Sequence, residues 1–212
     1  KLFRETDMDI IKIMQDFSYP LTGTITRASD WRHIRFGGVD AKEFEKPKEI
    51  ISRILDETGG EALTLMTMFG PFKAASFAFG DEELMFWAKE APEDVAEGIK
   101  IIADGMTEWL QGYLDLGVDG LYYTAQFAEP GRFTQEQWET LVKPFDEQVL
   151  SVCRDREEKI NFLHMCGEPE YRFRVDLQRL RAMPGDIVNW SVKDNGLSLQ
   201  LSLIHISEPT RL

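Results

Sequence analysis

Short apolar runs alternate with stretches of helical periodicity along most of the chain. The runs have the length and composition of buried strands, and between them apolar residues recur at intervals of three and four, as on one face of a helix. Five strands separated by helices are typical of a parallel sheet with helices packed outside it. The predicted strands are 10–14, 62–69, 119–124, 160–163 and 186–190.

Proline and glycine residues predict where the helices begin and end. Pro47 and Pro92 are placed as first helical residues, and Gly117 is placed as the residue that ends the second of these helices. Pro144 is expected to kink the helix that follows Thr134. The predicted helices are 47–58, 72–79, 84–89, 92–116, 134–149 and about 169–182.

Two folds fit this alternation, a doubly wound sheet and a (β/α)₈ barrel. The first is favoured by a glycine-rich dinucleotide loop after a strand, and the sequence contains none. Instead, polar side chains follow the strand ends, at Asp16, Gln126, His164, Cys166 and Asn189. A barrel places its active site there but needs about 250 residues. The prediction is therefore a partial (β/α)₈ barrel with about five parallel strands. Roughly three further strands would be needed to close the barrel.

His164 and Cys166 are the pair with the clearest chemistry. They are two residues apart at the end of a predicted strand, so their side chains point to the same side. Imidazole and thiolate are zinc ligands, and this spacing allows both to reach one ion. A catalytic zinc needs three protein ligands, and the pair supplies two. The alternative is a core histidine beside a buried thiol.

The composition of the chain argues against nucleic acid and membranes as binding partners. The net charge of −13 over 212 residues repels phosphate backbones, which argues against nucleic acid. No apolar run approaches the length of a membrane span, and no secretory signal is seen. The two cysteines provide no disulfide framework, which fits a reducing cytoplasm. We expect a cytoplasmic protein with a small-molecule substrate and neither nucleic acid nor membrane as partner.

Both ends differ from those of a complete protein. Lys1 is not a start methionine, and residues 201–212 do not continue the preceding pattern. We interpret 1–200 as one incomplete barrel domain and 201–212 as a non-native tail, which removes His205 from consideration.

A series of motifs resembles the uroporphyrinogen decarboxylase family in order and spacing. The resemblance spans about Phe3 to Leu199 and implies a (β/α)₈ barrel. The family includes heme-pathway decarboxylases that need no cofactor, and zinc methyltransferases that move a methyl group from a corrinoid to a thiol. The motifs are 69–72 (FGPF), 117–126 (GVDGLYYTAQ), 144–146 (PFD), 163–167 (LHMCG) and 187–190 (IVNW).

The resemblance is closer to the methyltransferase branch. The decarboxylases carry a tyrosine where our alignment places Phe77, which has no hydroxyl to offer a carboxylate. The methyltransferases carry His-x-Cys as two of three zinc ligands, which implies that His164 and Cys166 bind metal. The third ligand is then a cysteine outside this chain. If the decarboxylase alternative holds, no cofactor is needed. A non-catalytic fragment is a further alternative.

The resemblance and the strand ends together give a set of candidate site residues. Asp16 is the nearest match to the essential aspartate of the decarboxylases, and we assign Asp16 and Gln126 to catalysis. Gln126 and Asn189 could orient His164 or bind substrate, or bond only to loop backbone. Tyr122 and Tyr123 alternate faces, so only one can face the barrel interior. The predicted substrate contacts are Tyr123, Asn189 and Trp190, with a corrinoid protein as a further candidate partner.

Overall fold

A computed structural model describes residues 2–15, 18–166 and 174–191. Five strands form one parallel sheet, and two strands of two residues each pair in a separate antiparallel ribbon. Asp16 and the tail predicted at 201–212 lie outside the described residues. The strands are β1 (Ile10–Ile13), β2 (Leu21–Thr22), β3 (Arg35–Phe36), β4 (Leu63–Phe69), β5 (Gly120–Thr124), β6 (Ile160–His164) and β7 (Ile187–Asn189).

Helices follow the strands of the large sheet, as in a (β/α)₈ barrel. Because the five parallel strands lie side by side in chain order, the predicted partial barrel is confirmed. The helices are α1 (Leu2–Thr6), α2 (Lys42–Thr58), α3 (Pro71–Phe79), α4 (Asp81–Glu90), α5 (Pro92–Leu116), α6 (Gln135–Leu141), α7 (Lys143–Arg154) and α8 (Leu177–Arg181), and a 3₁₀ helix spans Ala28–His33.

The sheet has two unlike faces. The helix face is covered along the central strands, where Met66, Leu121 and Leu163 are buried beneath the helices. We call the other the inner face; it carries the side chains that alternate with these, and in a closed barrel it fills the interior. Large apolar side chains on the inner face of this open sheet remain exposed, namely Ile10 (39%), Leu63 (44%) and Ile187 (41%).

Helix α5 is the longest and organises the packing outside the sheet. Trp109 on α5 is fully buried, and its indole N–H donates to the backbone oxygen of Gly37 at 2.9 Å. The ribbon strand β3 lies so close that a Cβ at Gly105 would fall 2.2 Å from the Phe36 ring. A larger residue at position 105 would push the ribbon away from the helix. The segment around β3 is thus held against α5.

Two proline positions differ from the prediction. Pro47 was predicted to open a helix, but α2 begins five residues earlier at Lys42. Phe44 in the added turn is buried and stacks on Tyr113 at 5.2 Å between ring centroids, so tertiary packing outweighs the hydrogen bond that Pro47 cannot donate. Pro144 does more than kink its helix. The segment divides into α6 and α7 at Val142, two residues before the proline.

Candidate metal centre at the carboxyl ends of the strands

His164 and Cys166 lie together on the inner face, at the end of β6. His164 Nε2 is 3.0 Å from Cys166 Sγ, and both side chains are partly buried. Met165, between them, is fully buried in the hydrophobic core, on the opposite side of the strand, as alternation requires. The structure therefore brings together the two side chains that the sequence paired as metal ligands.

Asn189 at the end of β7 orients the imidazole. Its Oδ1 lies 2.7 Å from His164 Nδ1, and the hydroxyl of Tyr122 donates to the same oxygen at 3.2 Å. Since a carboxamide oxygen only accepts, Nδ1 must carry the proton and Nε2 keeps its lone pair directed at Cys166. Asn189 thus selects the tautomer that a metal at Nε2 requires.

Burial sets the protonation of the same imidazole. Partial burial lowers the pKa of His164, and the positive charge of Lys12 adds to that lowering, while the hydrogen bond that the imidazole donates to Asn189 opposes it. A lowered pKa favours neutral imidazole, which is the form that binds metal.

The Tyr122 ring contacts the imidazole of His164 on the inner face. Its ring stacks on Phe162 at 5.0 Å and meets the His164 ring at 5.6 Å between centroids. Lys12 Nζ lies 4.0 Å above the Tyr122 ring, within the range of a cation–π contact. The inner face therefore presents a half-buried column of rings that ends in the His164–Cys166 pair.

Tyr123 was predicted to bind substrate, and the structure corrects this prediction. Tyr123 is fully buried on the helix face, where its hydroxyl donates to Oδ1 of Asp146 on α7 at 2.6 Å. Alternation places adjacent tyrosines on opposite faces, and Tyr122 is the one that shares a face with His164. The strand pairing decides which tyrosine faces the site: Thr124 pairs with His164, and Tyr122 lies two residues before Thr124, on the same side.

Trp190 is corrected for the same reason. It follows Asn189 by one residue, so its side chain lies on the opposite side, where it is 8% exposed and belongs to the hydrophobic core. The structure does not support a substrate contact there. Asn189 keeps its place at the inner face, and its role as a substrate contact stays a prediction.

Gln126 occupies the turn that follows β5. Its Oε1 is buried and has no hydrogen-bond partner among the described residues. The next residue, Phe127, has φ of 72°, a left-handed conformation held by its N–H donating to Glu129 Oε2 at 2.8 Å. The structure gives no contact between Gln126 and His164, so the catalytic role of Gln126 stays a prediction. Asp16, the other predicted catalytic residue, is outside the described residues.

The donor set fits zinc but is incomplete in the described part of the chain. Two ligands of one tetrahedral zinc, with bonds of about 2.0 and 2.3 Å, lie about 3.5 Å apart, close to the His164–Cys166 separation. Within residues 2–15, 18–166 and 174–191, no three His, Cys, Asp or Glu side chains cluster closely enough to hold a metal ion. Cys153 is no substitute, because burial raises the pKa of its thiol to about 12.

Asp146, to which the sequence analysis assigned no role, fills the space beside Gly70 at the start of α3. Asp146 on α7 is fully buried, and a Cβ at Gly70 would lie 2.7 Å from its Oδ1 and 2.9 Å from the Tyr123 hydroxyl. The motifs at 69–72, 117–126 and 144–146 therefore meet at one point on the helix face. The sequence signal for Asp146 was its place directly after Pro144 and Phe145, in one of the motifs that carry the family resemblance.

Comparison with known proteins relates the chain to one family and to solved structures that share its fold. The sequence model of the family described as uroporphyrinogen decarboxylase (URO-D) matches residues 19–192. No curated protein matches. A solved structure described as a methyltransferase from Methanosarcina mazei superposes with a TM-score of 0.67 at 13% sequence identity. The match covers 90% of this chain and 60% of that one, so the chain spans about three fifths of that relative's length.

None of the helices in the described part of the chain combines the length and apolar character needed to cross a membrane.

Proposed function

The chain belongs to the uroporphyrinogen decarboxylase (URO-D) family, and on that premise we propose that it carries two protein ligands of a catalytic zinc, His164 and Cys166. The protein would then be a methyltransferase that moves a methyl group from a corrinoid to a thiol. A small-molecule thiol and a corrinoid protein are the partners that this proposal implies.

One observation carries the proposal: a sulfur and an imidazole nitrogen converge within 3.0 Å while the far side of the ring is fixed. Asn189 accepts from Nδ1–H of His164 and so directs the Nε2 lone pair at Cys166 Sγ. A histidine placed only for core packing has no need of a fixed tautomer that faces a thiol. Metal-binding histidines usually have such a partner on the other ring nitrogen.

Each residue of the pair has a separate task in this proposal. Cys166 supplies a soft anionic donor and His164 a neutral one, while Tyr122 and Asn189 hold the ring in place. Zinc, when bound, would supply Lewis-acid activation of a thiol at neutral pH. The third protein ligand is expected from outside the described residues, and the remaining position is open to the thiol.

The structural relative is described as a methyltransferase, which agrees with this branch of the family. At 13% identity that likeness concerns the fold, so the zinc, the corrinoid and the thiol rest on the His164–Cys166 pair and on the motif resemblance.

The alternative is a cofactor-free decarboxylase of porphyrin biosynthesis. Phe77, aligned with the tyrosine of that branch, is 61% exposed, and its ring has no hydroxyl with which to bind a substrate carboxylate. Loss of a hydrogen bond to a charged group costs roughly 1.5–3 kcal/mol, or about one to two decades in rate. Formation of coproporphyrinogen from uroporphyrinogen at ordinary enzyme rates would favour this alternative over the methyltransferase.

Zinc content tests the proposal directly. We expect the protein that contains this chain to bind one zinc, and Cys166→Ala to reduce its zinc affinity by at least about tenfold. Cys153→Ala is the matched control, because Cys153 is fully buried in α7 and far from thiolate character. Cobalt substitution adds an independent readout, since a thiolate ligand gives an absorption band that Cys166→Ala should lose.

Equal zinc content in both cysteine variants and in the unaltered protein would refute the assignment of Cys166. Negligible zinc in all three would return His164 and Cys166 to the core-packing alternative and favour cofactor-free chemistry. Zinc lost in Cys166→Ala and kept in Cys153→Ala would support the proposal.

A further inference from the structure

Lys12 is the only lysine, arginine, aspartate or glutamate among the described strand residues of the inner face. Its neighbours on β1, Ile11 and Ile13, pack against the core on the other side of the strand. The other inner-face positions of the five strands carry apolar, aromatic, threonine, glycine, histidine or asparagine residues. In a chain with 37 acidic residues, none of these strand positions holds a carboxylate. The strands therefore bring one uncompensated positive charge to this face.

The ammonium group of Lys12 extends towards the carboxyl ends of the strands. Lys12 pairs in register with Leu65, whereas Tyr122 pairs with Thr67, two residues nearer to those ends. The side chain spans this offset, because its Nζ lies 4.0 Å above the Tyr122 ring. Among the described residues, no carboxylate pairs with the ammonium group. Lys12 thus points towards the end of the sheet that carries the candidate metal centre.

The distance from Lys12 to the imidazole of His164 has an upper bound. Nζ is 4.0 Å from the centroid of the Tyr122 ring, and that centroid is 5.6 Å from the centroid of the His164 ring. The ammonium group therefore lies within 9.6 Å of the imidazole centroid, the sum of these two distances. At about 10 Å, two charges still interact appreciably where protein fills part of the space between them and the ionic strength is low.

The charge of the proposed metal centre changes when a thiol binds to it. Zinc with a neutral His164, the thiolate of Cys166 and a further cysteine as third ligand would have no net charge. A thiol that binds at the open position and releases its proton to solvent adds one negative charge. A positive charge nearby favours this anionic form over the neutral thiol.

We propose that Lys12 supplies this positive charge and stabilises the anionic form of the thiol substrate at the His164–Cys166 pair. The inference rests on the zinc-dependent methyltransferase proposed above and adds a residue to its site. Binding of one zinc ion in place of two thiol protons leaves the net charge unchanged, so Lys12 has little effect on metal affinity. Its effect is on the charge of the bound thiol.

Two ligands of the cobalt-loaded protein that contains this chain separate charge from access. β-Mercaptoethanol binds as an anion after losing its proton, imidazole binds as a neutral molecule, and both change the cobalt absorption bands. We expect Lys12→Met to weaken β-mercaptoethanol binding by about fivefold at low ionic strength, with imidazole binding and cobalt content unchanged. Lys12→Arg should restore binding. Lys89→Met, which removes the same charge from an exposed position of α4, should have no effect.

Ionic strength provides a readout that a purely structural role of Lys12 would not change. Raising a non-coordinating salt from about 0.02 M to about 0.5 M shortens the Debye length from roughly 20 Å to roughly 4 Å. The difference in β-mercaptoethanol affinity between the unaltered protein and Lys12→Met should therefore shrink to less than about twofold. Imidazole binding should show no such convergence, because the two proteins bind it equally at every salt concentration.

The outcomes distinguish this inference from the proposed function. Equal β-mercaptoethanol binding by Lys12→Met and the unaltered protein, with cobalt retained in both, would overturn the role of Lys12 and leave the metal site standing. Equal weakening of both ligands, or a difference that salt does not reduce, would make Lys12 a structural residue and overturn the inference as well. Absence of cobalt from the unaltered protein would refute the proposed function, and this inference with it.

Discussion

Two adjacent tyrosines place similar hydrogen bonds on opposite faces of the same sheet. Tyr122 donates to Asn189 on the half-exposed inner face, and Tyr123 donates to Asp146 on the fully buried helix face. The chemistry is alike, but the surroundings differ. On the inner face, water or a ligand can replace a lost partner. On the helix face nothing can, so a lost partner there costs the full desolvation of a buried polar group. Burial, more than residue type, therefore separates a site from a structural contact.

The largest expected difference between the faces is a pH dependence confined to the helix face. Burial raises the pKa of Asp146 to about 8, and the hydrogen bond from Tyr123 opposes that rise. Because the folded protein binds this proton more tightly than the unfolded chain, the stability contribution is complete below pH ~4. It declines as the pH rises towards about 8, by up to about 1.4 kcal/mol per pH unit.

Asp146→Asn tests this dependence, since the amide is of similar size, accepts the same hydrogen bond and does not titrate. As the pH rises from ~5 to ~8, we expect the free energy of unfolding of the unaltered protein to fall relative to that of Asp146→Asn. Urea denaturation across that interval measures it. Parallel curves for the two proteins would show that Asp146 is not a buried protonated group.

The next largest effect is expected from removing one hydroxyl on each face. Tyr123→Phe leaves Asp146 without its donor in a dry environment and should lower the free energy of unfolding by about 1–3 kcal/mol. Tyr122→Phe, its matched control, should cost less than about 1 kcal/mol, because Asn189 is exposed and can bond to water. Equal costs in urea denaturation would mean that burial does not distinguish the two faces.

The smallest effect concerns the imidazole alone. Asn189→Ala removes the acceptor of Nδ1–H and should reduce the preference of His164 for that tautomer by about 1 kcal/mol, with little change in stability. The ¹⁵N chemical shifts of the two ring nitrogens report the tautomer directly. Tyr122→Phe should leave the tautomer unchanged, since it removes only the second donor to Asn189. An unaltered tautomer in Asn189→Ala would mean that another group orients the ring.

The sequence was sufficient for the order of the strands and for the long helix. Helix α5 runs from Pro92 to Leu116 as predicted, because proline at its start and Gly117 at its end are unambiguous local signals. The ribbon of β2 and β3 was not predicted, since strands of two residues have no measurable periodicity. The start of α2 was predicted wrongly, because the packing of Phe44 against Tyr113 is a tertiary effect.

The candidate site was predictable in part. His164 and Cys166 were paired correctly because alternation along one strand fixes their common side. Tyr123 was chosen over Tyr122 because alternation says that two neighbours differ, not which of them faces inward. Only the pairing of Thr124 with His164 across β5 and β6 decides that, and register between strands is not visible in a single sequence.

The agreement between strand order and chain order has a consequence for biosynthesis. Each strand of the sheet pairs only with the strand made just before it and the one made just after it. Each strand can therefore pair with its neighbour as soon as it is synthesised, and sheet formation during translation needs no contact with a distant segment. Lys12 lies on β1, at one edge of the described sheet, and a charge there discourages pairing with a neighbouring chain.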